Sequence, residues 1–200
     1  KDGTIIVPTF SYSLTKNEPF NREITQSDVG LFSERFRRIP GVMRSSHPIF
    51  SVAVFGKNKE RYLHTNMSDC FGKDTLFDRL FDSNAKILCL GCSFDRVTII
   101  HYVEQCLAVD YRYFKTFSGE VVCDGIASSV KTRYFVRDLN IDSSCDLGML
   151  KNKCISNDSL RVGSFGRFPI SAISTRDFFA TAVELVECNP YALIKERLNS

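Results

Sequence analysis

Lys86-Ile-Leu-Cys-Leu-Gly91-Cys-Ser-Phe-Asp95-Arg-Val-Thr98-Ile-Ile-His101-Tyr-Val-Glu104 is the stretch that decides the fold class. Its first five residues form an apolar run of the length of one buried strand, and Gly91 ends it. From Asp95 onward the apolar residues switch to helical spacing. Ile99, Ile100, Val103, Cys106 and Leu107 make one stripe, with Thr98, His101, Glu104 and Gln105 on the other side. The spacing predicts a helix from near Asp95 to about Leu107. A buried strand that passes through a glycine turn into a helix is the unit of α/β proteins, and that turn is where such folds bind ligands.

The rest of the chain extends this pattern. Gly3 to Pro8, Phe50 to Phe55, Tyr111 to Phe117, Glu120 to Cys123, Lys131 to Val136, Leu160 to Val162 and Pro169 to Ala172 read as strands, with Ser118-Gly119 as a turn. Asp28 to Arg38 reads as a helix capped by Ser27, with Val29, Phe32 and Phe36 inward. Asp74 to Phe81 reads as a second helix. A final one runs to about Glu187 from a cap at Ser174 or Thr175, with Phe178, Ala182, Leu185 and Val186 inward. The expected fold is α/β, a single domain over residues 1–200 with a mixed sheet flanked by helices.

Composition narrows the function classes. A chain of 200 residues can bury a sizeable core, and its 44% hydrophobic and 24% charged residues are ordinary globular usage. A net charge of +3 is too small to point to nucleic acid, and no apolar run is long enough for a membrane helix, so neither partner is expected. Several of the eight cysteines (Cys89, Cys106, Cys123) sit in apolar stretches, as small buried hydrophobes would in a reducing cytoplasm. Cys89 and Cys92 have C-x-x-C spacing, but nothing nearby completes a zinc or redox site, so no metal is expected.

Taken from spacing alone, His101 and Glu104 are i, i+3 neighbours on a helix, so the carboxylate can reach the imidazole. Asp95 falls near the start of that helix, where its charge is favoured. Such residues fit a solvated polar face, and they also fit a histidine base supported by a carboxylate on a strand-to-helix turn.

Longer motifs favour the second reading. Asp95-Arg-Val-Thr98-Ile-Ile-His101-Tyr-Val-Glu104 resembles the D-x-x-T-x-x-H-x-x-E stretch of the aminoglycoside N(3)-acetyltransferases, the antibiotic N-acetyltransferase family. Gly3 to Ser13 (GTIIVPTFSYS), Gly30 to Gly56 (GLFSERFRRIPGVMRSSHPIFSVAVFG) and Gly163 to Ser174 (GSFGRFPISAIS) are similar, in order, to three further segments of that family.

The resemblance implies a cytoplasmic acetyl-CoA-dependent N-acetyltransferase of antibiotic resistance that acts on an amine of an aminoglycoside or related amino sugar. It implies direct attack of the amine on the thioester, with His101 as general base and Glu104 or Asp95 orienting the imidazole. Thr98 would contact substrate, and Arg44, Ser45, His47 and Ser51 would line the coenzyme A channel. The resemblance also implies a further α/β segment upstream of the first strand that helps hold coenzyme A, and the domain over residues 1–200 is expected to be incomplete at that end. That keeps open a catalytically impaired binding module of the same fold. An acetyltransferase of polysaccharide or secondary-metabolite biosynthesis is the other alternative.

Overall fold

The computed structural model describes residues 2–195. In chain order the elements are β1 (Thr4–Pro8), β2 (Phe20–Asn21), α1 (Leu31–Phe36), β3 (Met43–Arg44), β4 (Val52–Gly56), α2 (Glu60–Leu63), α3 (Leu76–Asp82) and β5 (Lys86–Leu90). They continue with α4 (Ile100–Cys106), β6 (Arg112–Cys123), β7 (Ile126–Arg137), α5 (Gly148–Ser156), β8 (Arg161–Phe165), β9 (Phe168–Ser174) and α6 (Thr175–Cys188). The α/β class is as expected from the sequence. The strands, however, are distributed over three three-stranded sheets, β1-β4-β3, β2-β6-β7 and β5-β9-β8. The one mixed sheet is β2-β6-β7, where β2 runs parallel to β6.

The chain packs as two compact units. The first holds Lys1–Arg79 and Phe114–Tyr134. Its core is an aromatic cluster around Phe50, whose ring centroid lies 4.9 Å from Phe10, 5.0 Å from Phe71, 5.6 Å from Phe77 and 5.3 Å from Tyr134. Most of these pairs are edge-on or tilted, as the ring quadrupole prefers. Four of the chain's seventeen phenylalanines are placed in this way. β4 lies between β1 and β3 and buries Val52, Ala53 and Val54.

The second unit holds Leu80–Tyr113 and Phe135–Ser200. In the sheet β5-β9-β8, Cys89 and Ile173 are buried. Phe178 and Ala182 of α6, Ile100 and Val103 of α4, and Leu150 and Cys154 of α5 are buried in the same unit. The expected cap of α6 is present: Ser174 Oγ accepts from the Asp177 N–H at 3.1 Å.

Four expectations are corrected. The helix expected from Asp95 begins only at Ile100. Asp95 belongs to a separate 3₁₀ turn, Phe94–Arg96, and Val97 beyond it is extended at φ −73°, ψ 94°. The first helix starts at Leu31, not Asp28, because Gly30 at φ 117° lies outside helical space. Ser27 is therefore no cap, and Phe32 is 64% exposed. β6 runs unbroken through Ser118 and Gly119, and the chain reverses at Asp124-Gly125, where both φ values are positive (52° and 75°). Finally, Cys106 is exposed and Cys123 half-buried, while Cys89 is buried as expected.

Candidate active site

In the second unit, α4 turns Glu104 inward until it is completely buried. This differs from the polar face that helical periodicity suggests. One carboxylate oxygen, Glu104 Oε2, lies 2.6 Å from His101 Nδ1 and 2.7 Å from Arg112 Nε. Arg112 comes from the start of β6. It reaches the helix because the chain reverses just after α4, where Ala108 takes a left-handed φ of 48° and the Val109 N–H donates to Glu104 O. The Arg112 side chain is 5% exposed. Its Nη1 also donates to Phe135 O at 3.4 Å.

Burial alone would raise the Glu104 pKa, since a charged carboxylate loses its water. His101 and Arg112 oppose this and prevail, so the carboxyl is held below its usual value and remains charged. Two neighbours feel that charge. The Tyr111 phenol is pushed up by burial and then by Glu104. The half-buried Cys145 thiol is pushed up to about 12 by the same two causes, in the same order. A charged carboxylate is an acceptor only, so His101 donates its Nδ1–H to Glu104, and Nε2 becomes the basic nitrogen of the ring. The His101 side chain is 21% exposed, so the ring is sheltered but reachable.

Asp95 and Thr98 are placed differently. Asp95 Oδ1 accepts the Leu147 N–H at 2.9 Å, just ahead of α5, and Oδ2 accepts from Ser93 Oγ at 2.6 Å. The Ser93 hydroxyl, then the Leu147 N–H, hold its pKa down. Of the two carboxylates considered from the sequence, Glu104 is the one hydrogen-bonded to His101. Thr98 is half-buried, and its carbonyl accepts the His101 N–H at the first turn of α4.

Arg44, Ser45, His47 and Ser51 belong to the first unit and are all buried. Arg44 Nε contacts the hydroxyls of Thr9 (3.2 Å) and Ser51 (3.1 Å). Its Nη atoms donate to the carbonyls of Arg22, Thr25 and Thr9 at 3.3, 2.5 and 2.6 Å. Its guanidinium carbon lies 4.9 Å above the Phe20 ring. Burial lowers its pKa to about 10, which leaves it charged at neutral pH. Ser45 Oγ accepts the Val52 N–H.

His47 closes its own turn. Nδ1 accepts the N–H groups of Ile49 (3.2 Å) and Phe50 (3.0 Å), so Nε2 carries the proton toward Asp69 O at 3.3 Å. Full burial pushes its pKa down to about 4. Asp69 Oδ1 in turn accepts the N–H groups of Phe71 and Gly72, and Oδ2 pairs with Arg133. These side chains thus use their polar atoms to hold the loop's shape, and none is presented to a phosphate as a solvent-exposed donor.

Sequence reasoning missed Arg112, Tyr111 and Thr9. A signal for Arg112 was an arginine set between the aromatic residues Tyr111, Tyr113 and Phe114, a place where a charge needs a partner. Among the described residues no three His, Cys, Asp or Glu side chains are grouped to hold a metal ion, and no helix is long and apolar enough to cross a membrane.

Comparison with known proteins gives a consistent picture. The family model described as aminoglycoside 3-N-acetyltransferase matches residues 1–187. The aminoglycoside N(3)-acetyltransferase IV of Salmonella sp is 28% identical over 185 residues, which are 90% of this chain and 67% of that protein. A prophage-derived aminoglycoside N(3')-acetyltransferase-like protein of Bacillus subtilis (strain 168) is 28% identical over 148 residues, 62% of this chain and 54% of its own length. The chain thus spans about two thirds or less of these relatives. Among solved structures, apo aminoglycoside acetyltransferase AAC(3)-IVa superimposes with a TM-score of 0.77 at 23% identity, over 97% of this chain and 72% of that one. AAC-IIIb in a binary complex with CoASH gives 0.76 at 18% identity, over 93% of this chain and 78% of that one. At such identities the likeness is one of fold.

Proposed function

Because the chain belongs to the aminoglycoside 3-N-acetyltransferase family, we propose that it is an acetyl-CoA-dependent N-acetyltransferase with His101 as its general base. The acceptor is an amine of an aminoglycoside or related amino sugar. The observation that carries this reading is the 2.6 Å contact between His101 Nδ1 and the fully buried Glu104 carboxylate. It fixes the tautomer in which Nε2 can take a proton.

Acetyl-CoA, as co-substrate, supplies the thioester carbonyl that the amine attacks. As the new C–N bond forms and the C–S bond breaks, the attacking nitrogen must lose a proton. His101 Nε2 accepts it, and Glu104 stabilises the imidazolium through Nδ1–H. The proton can then pass to the departing thiolate, so that the products are an amide and a thiol and the enzyme is unchanged. No acyl-enzyme is required, and we assign no cysteine a catalytic role.

Asp95 and Thr98 act indirectly in this scheme. Asp95 fixes the turn that precedes α4, and the half-buried Thr98, one turn before His101, accepts the His101 N–H through its carbonyl. We assign Arg44, Ser45, His47 and Ser51 to the coenzyme A channel as residues that shape its loop. Their buried hydrogen bonds to Thr9, Thr25, Val52 and the Ile49-Phe50 amides support shaping over direct contact. The reaction is placed in the cytoplasm, in keeping with the absence of disulfide bonds among the described residues.

The test follows thiol release from acetyl-CoA with gentamicin as acceptor. His101→Ala should lower kcat by about 10²–10⁴-fold, the scale of a positioned proton transfer. It should leave the thermal midpoint nearly unchanged, because the ring lies at the margin of the core. Near-normal turnover in this variant at saturating acceptor would place the base elsewhere.

A further inference from the structure

We propose that Arg112 is a positioning residue that sets the protonation behaviour of His101 through the Glu104 carboxylate they share. The inference rests on the reading of His101 as the base, and it adds a third member that neither the family match nor the sequence motif names. Arg112 Nε and His101 Nδ1 approach the same oxygen, Glu104 Oε2, at 2.7 and 2.6 Å. Glu104 is buried and Arg112 nearly so, so water screens these charges weakly.

A histidine bound to an isolated buried carboxylate is driven toward the imidazolium, because protonation is then the only way to neutralise the site. An imidazolium cannot accept a proton. Arg112 is a permanent cation. It neutralises Glu104 before His101 does and repels a second positive charge. It therefore keeps Glu104 ionised as an acceptor for Nδ1–H, and it weakens the pull toward imidazolium. Both effects favour the neutral ring, in which Nε2 can accept a proton.

The other polar groups around Glu104 do not supply this charge. Tyr111 and Cys145 both have their pKa raised by burial and by Glu104, so both are neutral at working pH. Asp95 is charged, but it is bonded to Ser93 and Leu147.

The experiment follows the His101 ring signals against pH by NMR, assigned by their loss in His101→Ala, with the pH profile of kcat/KM measured in parallel. In Arg112→Met the midpoint of the His101 titration should rise by about one pH unit or more, the usual effect of removing a close charge. The acid limb of kcat/KM should move by the same amount, so that activity falls on the acid side and recovers at higher pH. Arg112→Lys, which keeps the charge, should restore most of the original midpoint. An unmoved midpoint in Arg112→Met overturns the proposal.

If Arg112→Met does not fold, the comparison is made without the carboxylate, between Glu104→Gln and the double variant Glu104→Gln/Arg112→Met. The single variant, which retains the cation, should titrate lower than the double, and equal midpoints overturn the proposal. The NMR titration needs no turnover. A chain that titrates as expected but does not acetylate would therefore count against the proposed function and not against the role of Arg112.

Discussion

His47 should make this protein sensitive to mild acid, and the size of the effect follows from its surroundings. The ring is fully buried, with Nδ1 accepting two backbone N–H groups and Nε2–H directed at the Asp69 carbonyl. Protonating Nδ1 would break both amide bonds and bury a charge, so the folded protein resists it down to about pH 4. An unfolded chain takes up the same proton near pH 6.5. Between these values the unfolded state binds more protons, so stability falls as pH falls. Above about pH 6.5 the contribution is complete, and below about pH 4 it is gone. At about 1.4 kcal/mol per pH unit, the window corresponds to roughly 3 kcal/mol. His47→Asn is the informative perturbation. An Asn Oδ1 can accept the same two amides, as Asp69 Oδ1 already does from Phe71 and Gly72, and it does not titrate. The smaller side chain should cost about 1–3 kcal/mol at every pH through the cavity it leaves. Urea unfolding at pH 7.5, 5.5 and 4.5 should therefore show wild type as the more stable at pH 7.5. That advantage should shrink by roughly 2–3 kcal/mol by pH 4.5. All carboxylates are common to the two proteins and cancel in the difference. Parallel losses across the window would refute a neutral, backbone-bonded His47.

Two further variants test how buried charge holds the first unit. Arg44→Met should lower stability at pH 7 by about 3–5 kcal/mol in chemical denaturation, because it takes the guanidinium donor from the buried Arg22 and Thr25 carbonyls and leaves Thr9 O with only Ser51 Oγ. Arg44→Lys should recover only part of this, since one ammonium cannot span the same acceptors. Glu34 is held near pKa 2, first by its hydrogen bond to Arg37, against some burial, and then by the Ser27 N–H and Arg38. Its contribution is present above the usual carboxylate range and is lost as pH falls toward 2. Glu34→Gln should thus cost about 1–2 kcal/mol at pH 7, with partial exposure screening the pair. The two proteins should converge in stability as the pH approaches about 2.

The parts of the fold legible in the sequence were those set by local periodicity. The strand Lys86–Leu90, the helix containing His101 and the Ser174 cap all follow from residues within a turn or two of one another. Element ends were less legible where a side chain finds a distant partner. Asp95 looks like a helix start, yet it bonds to the Leu147 amide, some fifty residues on. Asp124-Gly125 is a hairpin signal that was available and was passed over for Ser118-Gly119. The burial of Glu104 was not legible, because a helical wheel assigns every carboxylate to water. His101 and Arg112, the latter returning from the next strand, together make the inward position tolerable. Arg44 is the same case: an arginine is exposed by default, and this one is buried because Thr9, Arg22, Thr25 and Ser51 offer it oxygens.

The three histidines of the chain show why geometry has to arbitrate where composition cannot. All three are the same imidazole, and two of them fall within motifs that resemble one family. His64 is 80% exposed, with Glu60 3.4 Å away, so its carboxylate neighbour is solvated and holds the ring weakly. His47 has the opposite defect: both nitrogens are committed to backbone groups, so any proton transfer at the ring would undo the turn that holds it. His101 lies between these extremes. One nitrogen is fixed by a buried carboxylate whose charge is compensated by Arg112, and the ring still reaches the surface. A general base needs a fixed tautomer together with access to substrate. Of the three, His101 alone combines a fixed tautomer with access, and the neutrality of its support depends on an arginine outside the motif. Arg112→Met, read against Arg112→Lys, is for this reason a sharper test of the site than removal of the histidine: the pair isolates the charge that the mechanism requires and leaves the base itself in place.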